Sequence, residues 1–149
     1  AHEKNLFITE AIWTRYMPLS QTINKLIADG AIGTPMTLSA NLGYPIGNRE
    51  RLMQPALAGG ALLDLGVYAL NFASMVFGTQ IEKITSTCVK TATGVDAQNS
   101  ITLTFDDGRM AVLHSTMLSM TDRQGIVSGD RGHLIVENIN NPQRVTVVT

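Results

Sequence analysis

Two side chains in one apolar stretch hold the chemistry this sequence could do. In Ala58-Gly59-Gly60-Ala61-Leu62-Leu63-Asp64-Leu65-Gly66-Val67-Tyr68 a carboxylate and a phenol stand four residues apart. On a helix, positions i and i+4 lie on one face, so Asp64 and Tyr68 are expected to point the same way. A carboxylate in so apolar a run is costly unless it is hydrogen-bonded or paired. Two assignments are open from spacing alone. The pair is an acid/base site facing a cleft, or Asp64 satisfies backbone N–H groups near the helix start while Tyr68 is a core aromatic with its hydroxyl tied off. The adjacent Gly59 and Gly60 permit close approach by a ligand or by a neighbouring segment.

A second segment, Glu10-Ala11-Ile12-Trp13-Thr14-Arg15-Tyr16-Met17-Pro18, carries the only Trp together with an Arg and a Glu at the end of a predicted strand. Ligands of α/β proteins sit beyond the carboxyl ends of strands. Trp13 and Arg15 therefore form a pocket wall, or else they anchor a domain junction, since both residue types favour any interface. No two histidines have ligand spacing, so no metal site is expected. The sequence contains no G-x-S-x-G, no P-loop and no G-x-G-x-x-G, hence no phosphate cradle of its own.

These residues need elements to hold them. Leu6 to Thr9 reads as a short buried strand after a polar helix tail. Pro18 starts a helix whose apolar positions Leu19, Ile23, Leu26 and Ile27 have helical spacing, ended by Gly30 and Gly33. Met36 to Leu42 reads as a strand and Gly43 to Pro55 as a loop. A helix then runs from about Gly60 to Phe77, closed by Gly78. Strands follow at Ile81 to Thr91, Asn99 to Phe105, Arg109 to Ser115, Gln124 to Ser128, His133 to Glu137 and Val145 to Val148. Asp107-Gly108 marks a hairpin between the second and third of these. The expected fold class is α+β, an open, mostly antiparallel sheet with two or three helices on one face, its later strands forming a meander. The uncovered face meets water or a second subunit; Met110, Met117, Leu118 and Met120 favour the subunit, hence a homodimer through the sheet.

The chain has 149 residues, 44% hydrophobic and 15% charged, with a formal net charge of −1. That describes one folded domain with a sizeable core. Without a basic stripe, neither nucleic acid nor an anionic membrane is an expected partner. Cys88 is the single cysteine, which excludes an internal disulfide and suits a reducing cytoplasm. The apolar run from about Ala61 to Phe77 is interrupted by Asp64, Asn71 and Ser74 and reads as a buried helix, not a membrane span. The abrupt start is expected to fall within something larger.

Five segments in order carry a resemblance: Glu10-Ala11-Ile12-Trp13-Thr14-Arg15, Gly30-Ala31-Ile32-Gly33, Gly59 through Tyr68, Thr93-Gly94-Val95-Asp96, and Gly129-Asp130-Arg131-Gly132. Together they resemble the glucose–fructose oxidoreductase / inositol dehydrogenase / MocA family of NAD(P)-dependent oxidoreductases, most nearly the dimeric dihydrodiol dehydrogenase branch with its NADP-dependent xylose dehydrogenases. The resemblance implies that residues 1–15 are a remnant of an N-terminal Rossmann domain and residues 16–149 a C-terminal substrate and dimerisation domain. It implies NADP or NAD as cofactor, bound mainly by a domain outside this chain, and a small sugar, polyol or diol as substrate. Tyr68 matches the proton donor/acceptor of that branch and Asp64 the carboxylate one turn earlier. Gly59 and Gly60 match the glycines that let the substrate loop approach the nicotinamide, Trp13 and Arg15 match the cofactor-binding strand-end segment that lines the cofactor–substrate cleft, and Arg51 in the preceding loop is an expected substrate contact. The family's glycine fingerprint and its Glu-Lys-Pro lysine are absent from this chain, so the chain alone is expected to be inactive. The alternative is a non-catalytic module for dimerisation or sugar binding.

Overall fold

The structure is a computed structural model and describes all 149 residues. Seven strands form one sheet: β1 (Pro35–Gly43), β2 (Ile81–Lys90), β3 (Asp96–Phe105), β4 (Met110–Thr116), β5 (Gly125–Gly129), β6 (Gly132–Val136) and β7 (Val145–Val148). Their order is β2-β3-β4-β1-β5-β6-β7. Every neighbouring pair is antiparallel except β1 and β4, which run parallel with Leu38 opposite Ala111 and Ala40 opposite Leu113. The mostly antiparallel α+β fold expected from the sequence is therefore present. Its meander is interrupted, because β1 inserts at the centre between β4 and β5. Parallel neighbours need a crossover connection, and the helical region from residue 61 to 77 supplies it.

Helix α1 (Pro18–Ala28) starts with proline at its first position, where the missing N–H costs nothing. It ends in a Schellman turn. Gly30 takes a φ of 74°, its N–H reaches the Ile27 carbonyl, and the Ala31 N–H reaches that of Leu26. Helix α2 (Val67–Phe77) lies on one face of the sheet and buries Ala69, Phe72, Ala73 and Phe77. Opposite it stand the alternate residues Leu38, Ala40, Leu42, Ile101, Leu103, Phe105, Ala111, Leu113 and Val127. Burial of each such large side chain contributes roughly 1.5–3 kcal/mol. Gly125 is required where it is: a Cβ there would stand 2.5 Å from the Phe72 ring.

Two sequence expectations are corrected. Leu6 to Thr9 pairs with no strand and lies exposed, Phe7 at 92%. A strand needs a partner for its N–H and C=O groups, and this domain presents none there. Of the four residues thought to line the uncovered sheet face, Met110 alone does so. Met117 is buried in the core, and Leu118 and Met120 stand exposed on the loop after β4. The stretch Pro55–Phe77 is long and apolar enough to cross a membrane by length and composition, yet half of its most apolar part is buried inside this domain.

Arg109 closes the far end of α2. It donates to the Phe77 carbonyl at 3.1 Å, pairs with Asp107 at 2.6 Å and sits 4.8 Å from the centre of the Phe77 ring. Phe77 in turn meets Phe105 edge to face at 5.3 Å. Arg109→Met is expected to cost about 2 kcal/mol by urea denaturation. The side-chain hydrogen bond from Arg109 holds the Asp107 carboxyl below its usual range. A carboxyl lowered in the folded state adds stability above its unfolded value and loses it as pH falls through the folded one. Asp107→Asn should accordingly flatten the acid side of the stability–pH curve, and an unchanged acid limb would contradict this.

Candidate active site

The carboxylate–phenol helix does not begin as an α-helix. Leu62–Gly66 is a π-helical turn, with the Val67 N–H reaching back five residues to Leu62. Such insertions concentrate at functional sites. The turn is fixed to the sheet through Asp96 at the head of β3. Its carboxylate accepts from the Leu62 N–H at 2.8 Å and from the Asn99 side chain at 2.7 Å. Asn99 accepts from the buried Ser115 hydroxyl at 3.0 Å. Gly66 fits here because a Cβ would meet the Ser115 hydroxyl at 3.1 Å.

The glycine pair serves the chain's own packing. A Cβ on Gly59 would stand 2.4 Å from the Leu52 carbonyl oxygen, and one on Gly60 would stand 2.2 Å from the Asp96 carboxylate. Gly60 also takes a φ of 111°, a region costly for any other residue. Of the two roles open from the sequence, close approach by a neighbouring segment is the one observed.

Asp64 and Tyr68 are partly buried and neither is sealed inside the domain. They make separate contacts. Asp64 pairs with Arg51, which comes from the 3₁₀ turn Glu50–Met53 anchored by the buried Leu52. Tyr68 accepts a hydrogen bond from the Trp13 indole at 3.2 Å. Trp13 and Arg15 lie on a 3₁₀ turn, Trp13–Tyr16, that runs beside α2. The Arg15 Nε donates to Asn71 at 2.8 Å and an Nη donates to Ser74 at 2.8 Å. The structure thus brings Tyr68 to Trp13 and Asp64 to Arg51, and engages Arg15 in a clip on α2.

A groove of about 530 Å³ lies between residues 10–12 and α2, lined in part by Glu10, Ile12, Leu63, Val67, Leu70 and Asn71. Neither Asp64 nor Tyr68 borders it. Sequence reading missed Asp96, Asn71 and Ser74 as supporting residues. A signal existed for the last two: polar residues three and six positions after Tyr68 continue its helix face.

Residues 20–135 match the family model described as GFO/IDH/MocA C-terminal domain. The chain belongs to the GFO/IDH/MocA family. The trans-1,2-dihydrobenzene-1,2-diol dehydrogenase of Xenopus laevis is 37% identical to this GFO/IDH/MocA domain over 133 residues, covering 89% of the chain and 40% of that protein. The chain thus spans about 40% of the length of this curated relative. The aldose-aldose oxidoreductase of Caulobacter crescentus, solved with glycerol, superimposes with a TM-score of 0.79 at 25% identity over 90% of this chain and 42% of that one. A 3-ketoreductase of Actinomadura kijaniata, solved with NADP and TDP-benzene, gives 0.87 at 20% identity over 99% of this chain and 51% of that one. The second likeness is one of fold. The family resemblance read from the five motifs therefore holds.

Gly60→Ala should lose about 2–4 kcal/mol of stability, since it combines a disfavoured φ with a clash on Asp96. Thermal or urea unfolding measures it; wild-type stability in this variant would mean that Asp96 does not fix the helix start.

Proposed function

We propose that this domain is the substrate side of an NAD(P)-dependent oxidoreductase moving a hydride between a nicotinamide and a sugar, polyol or dihydrodiol, with Tyr68 as proton donor/acceptor. One observation carries the reading. The Tyr68 hydroxyl is held at the domain edge by Trp13, one helical turn from an ion-paired carboxylate, in a family whose named relatives are dehydrogenases. The residues present fit the ring end of such a cofactor: an indole 46% exposed stands beside the phenol. They offer no counterpart for its phosphates, since the chain has no glycine fingerprint. NADP or NAD would therefore be held mainly by another domain, of which residues 1–15 are the remnant. Trp13 and Arg15 would border the nicotinamide, and Arg51 the substrate.

When bound, the nicotinamide supplies or accepts the hydride. The rest falls to this chain. In carbonyl reduction the Tyr68 O–H bond breaks and its proton goes to the carbonyl oxygen; in alcohol oxidation the same oxygen takes the proton back. Asp64, neutralised by Arg51, can accept from a neighbouring substrate hydroxyl without leaving an unpaired charge. That arrangement favours substrates with adjacent hydroxyls. The exposed Cys88 fits a reducing compartment, and we place the protein in the cytoplasm. In a full-length protein containing this chain, Tyr68→Phe should lower kcat by about 10²–10⁴-fold while cofactor affinity stays within a factor of two. Undiminished turnover would remove Tyr68 from the mechanism.

The uncovered sheet face supports a homodimer. It presents Met110, Val112, Ile126 and Ile135 among Thr and Ser residues, with Met110 and Val112 exposed. Val112→Lys should convert the dimer to monomer in sedimentation velocity; a wild-type sedimentation coefficient for that variant would put the interface elsewhere.

A further inference from the structure

We infer that Trp13 is a positioning residue for Tyr68: its indole N–H fixes the phenol oxygen and turns the hydroxyl hydrogen toward the substrate. The inference rests on Tyr68 being the proton donor/acceptor. An indole N–H can only donate, so at 3.2 Å the Tyr68 oxygen must accept. The phenol hydrogen, which lies in the ring plane, then points away from the indole. Trp13 is the only side-chain partner of that hydroxyl, and the hydrogen is left uncommitted.

The position of the indole favours this role over packing. Trp13 is 46% exposed, so packing uses only about half of its surface. Its turn is already secured without it. Arg15 is tied to Asn71 and Ser74, the Thr14 hydroxyl donates to the Asn140 carbonyl at 3.0 Å, and the buried Ser20 hydroxyl donates to the Thr14 carbonyl at 2.7 Å. Tyr68, Asn71 and Ser74 follow one another at spacings of three on one face of α2. The same short turn therefore holds all three. Arg15 grips the helix, and that grip sets the indole against the phenol.

The consequence for the step is direct. In reduction, the Tyr68 O–H bond breaks, the proton goes to the substrate carbonyl oxygen, and the carbonyl carbon takes the hydride from the reduced nicotinamide. The phenolate left behind keeps the indole N–H, now as a charge-assisted hydrogen bond stronger than the neutral one before it. An interaction that strengthens as the reaction proceeds raises kcat, not substrate affinity.

The test replaces Trp13 by 3-benzothienylalanine, which has the indole's shape with sulfur in place of the N–H, in the full-length enzyme. Trp13→Phe and Tyr68→Phe are measured beside it with NADP or NAD and a diol or sugar substrate. The isostere should lower kcat about ten- to a hundredfold, leave KM and cofactor Kd within about twofold, and raise the solvent deuterium isotope effect on kcat. Wild-type kcat and isotope effect in the isostere would overturn the inference even where Tyr68→Phe is inactive. Loss of kcat matched by an equal loss of cofactor affinity would also overturn it, in favour of plain packing against the cofactor. Full activity in Tyr68→Phe would instead sink the reading of Tyr68 itself. Because the isostere preserves shape, a folding defect in Trp13→Phe does not blur the outcome.

Discussion

The Asp96 carboxylate is the constraint on which the site depends. One carboxylate oxygen receives the first N–H of the π-helical turn and an Asn99 amide hydrogen, and the other lies against Gly60. Helix starts leave orphan N–H groups and carry partial positive charge. A carboxylate from β3 satisfies one such group and fixes the helix start relative to the sheet. Asn99 and Ser115 extend the network into β4. Every side chain with a proposed role on this helix takes its position from that attachment.

From the same start the polypeptide reaches the site by two routes. The loop before the helix returns through Leu52, whose carbonyl lies against Gly59, and delivers Arg51 to Asp64. The connector before α1 runs along the other end of the turn and delivers Trp13 to Tyr68. The glycines, which in sequence looked like room for a ligand, are room for the chain itself. The outcome is two polar pairs on one helix, each made with a segment that enters from outside it, so loop and connector geometry control the chemistry.

Much of this was legible beforehand. Strand alternation is a local signal, and β3 shows it in full, with Ala97, Asn99, Ile101, Leu103 and Phe105 all buried. The Asp107-Gly108 hairpin and the Gly30 cap follow from turn chemistry that a few residues determine. What escaped was non-local. The placement of β1 beside β4 is decided by packing at the sheet centre, where β1's weak alternation says nothing about its neighbour. Leu6 to Thr9 has the composition of a strand, and composition cannot reveal that its hydrogen-bonding partner is missing. Tyr68 and Asp64 were found by type and spacing. Asp96 was passed over as a site residue because its role exists only when β3 meets the helix start. Met117 was assigned to the open face by residue type, whereas its position just after β4 turns it into the core.

The π-helical turn has a further implication for how this segment tolerates change. It holds one residue more than an α-helical turn of the same rise. Deleting any residue between Leu62 and Gly66 would let the backbone relax into an unbroken α-helix, a locally favourable outcome. Because the turn absorbs that extra residue, the side chains after it would keep their faces around the helix axis. Phe72 would stay over Gly125, and the phenol beside the indole. What a shortened stretch would displace is the turn's own members, Asp64 and its pairing with Arg51 among them, while the helix beyond it keeps its seat on the sheet.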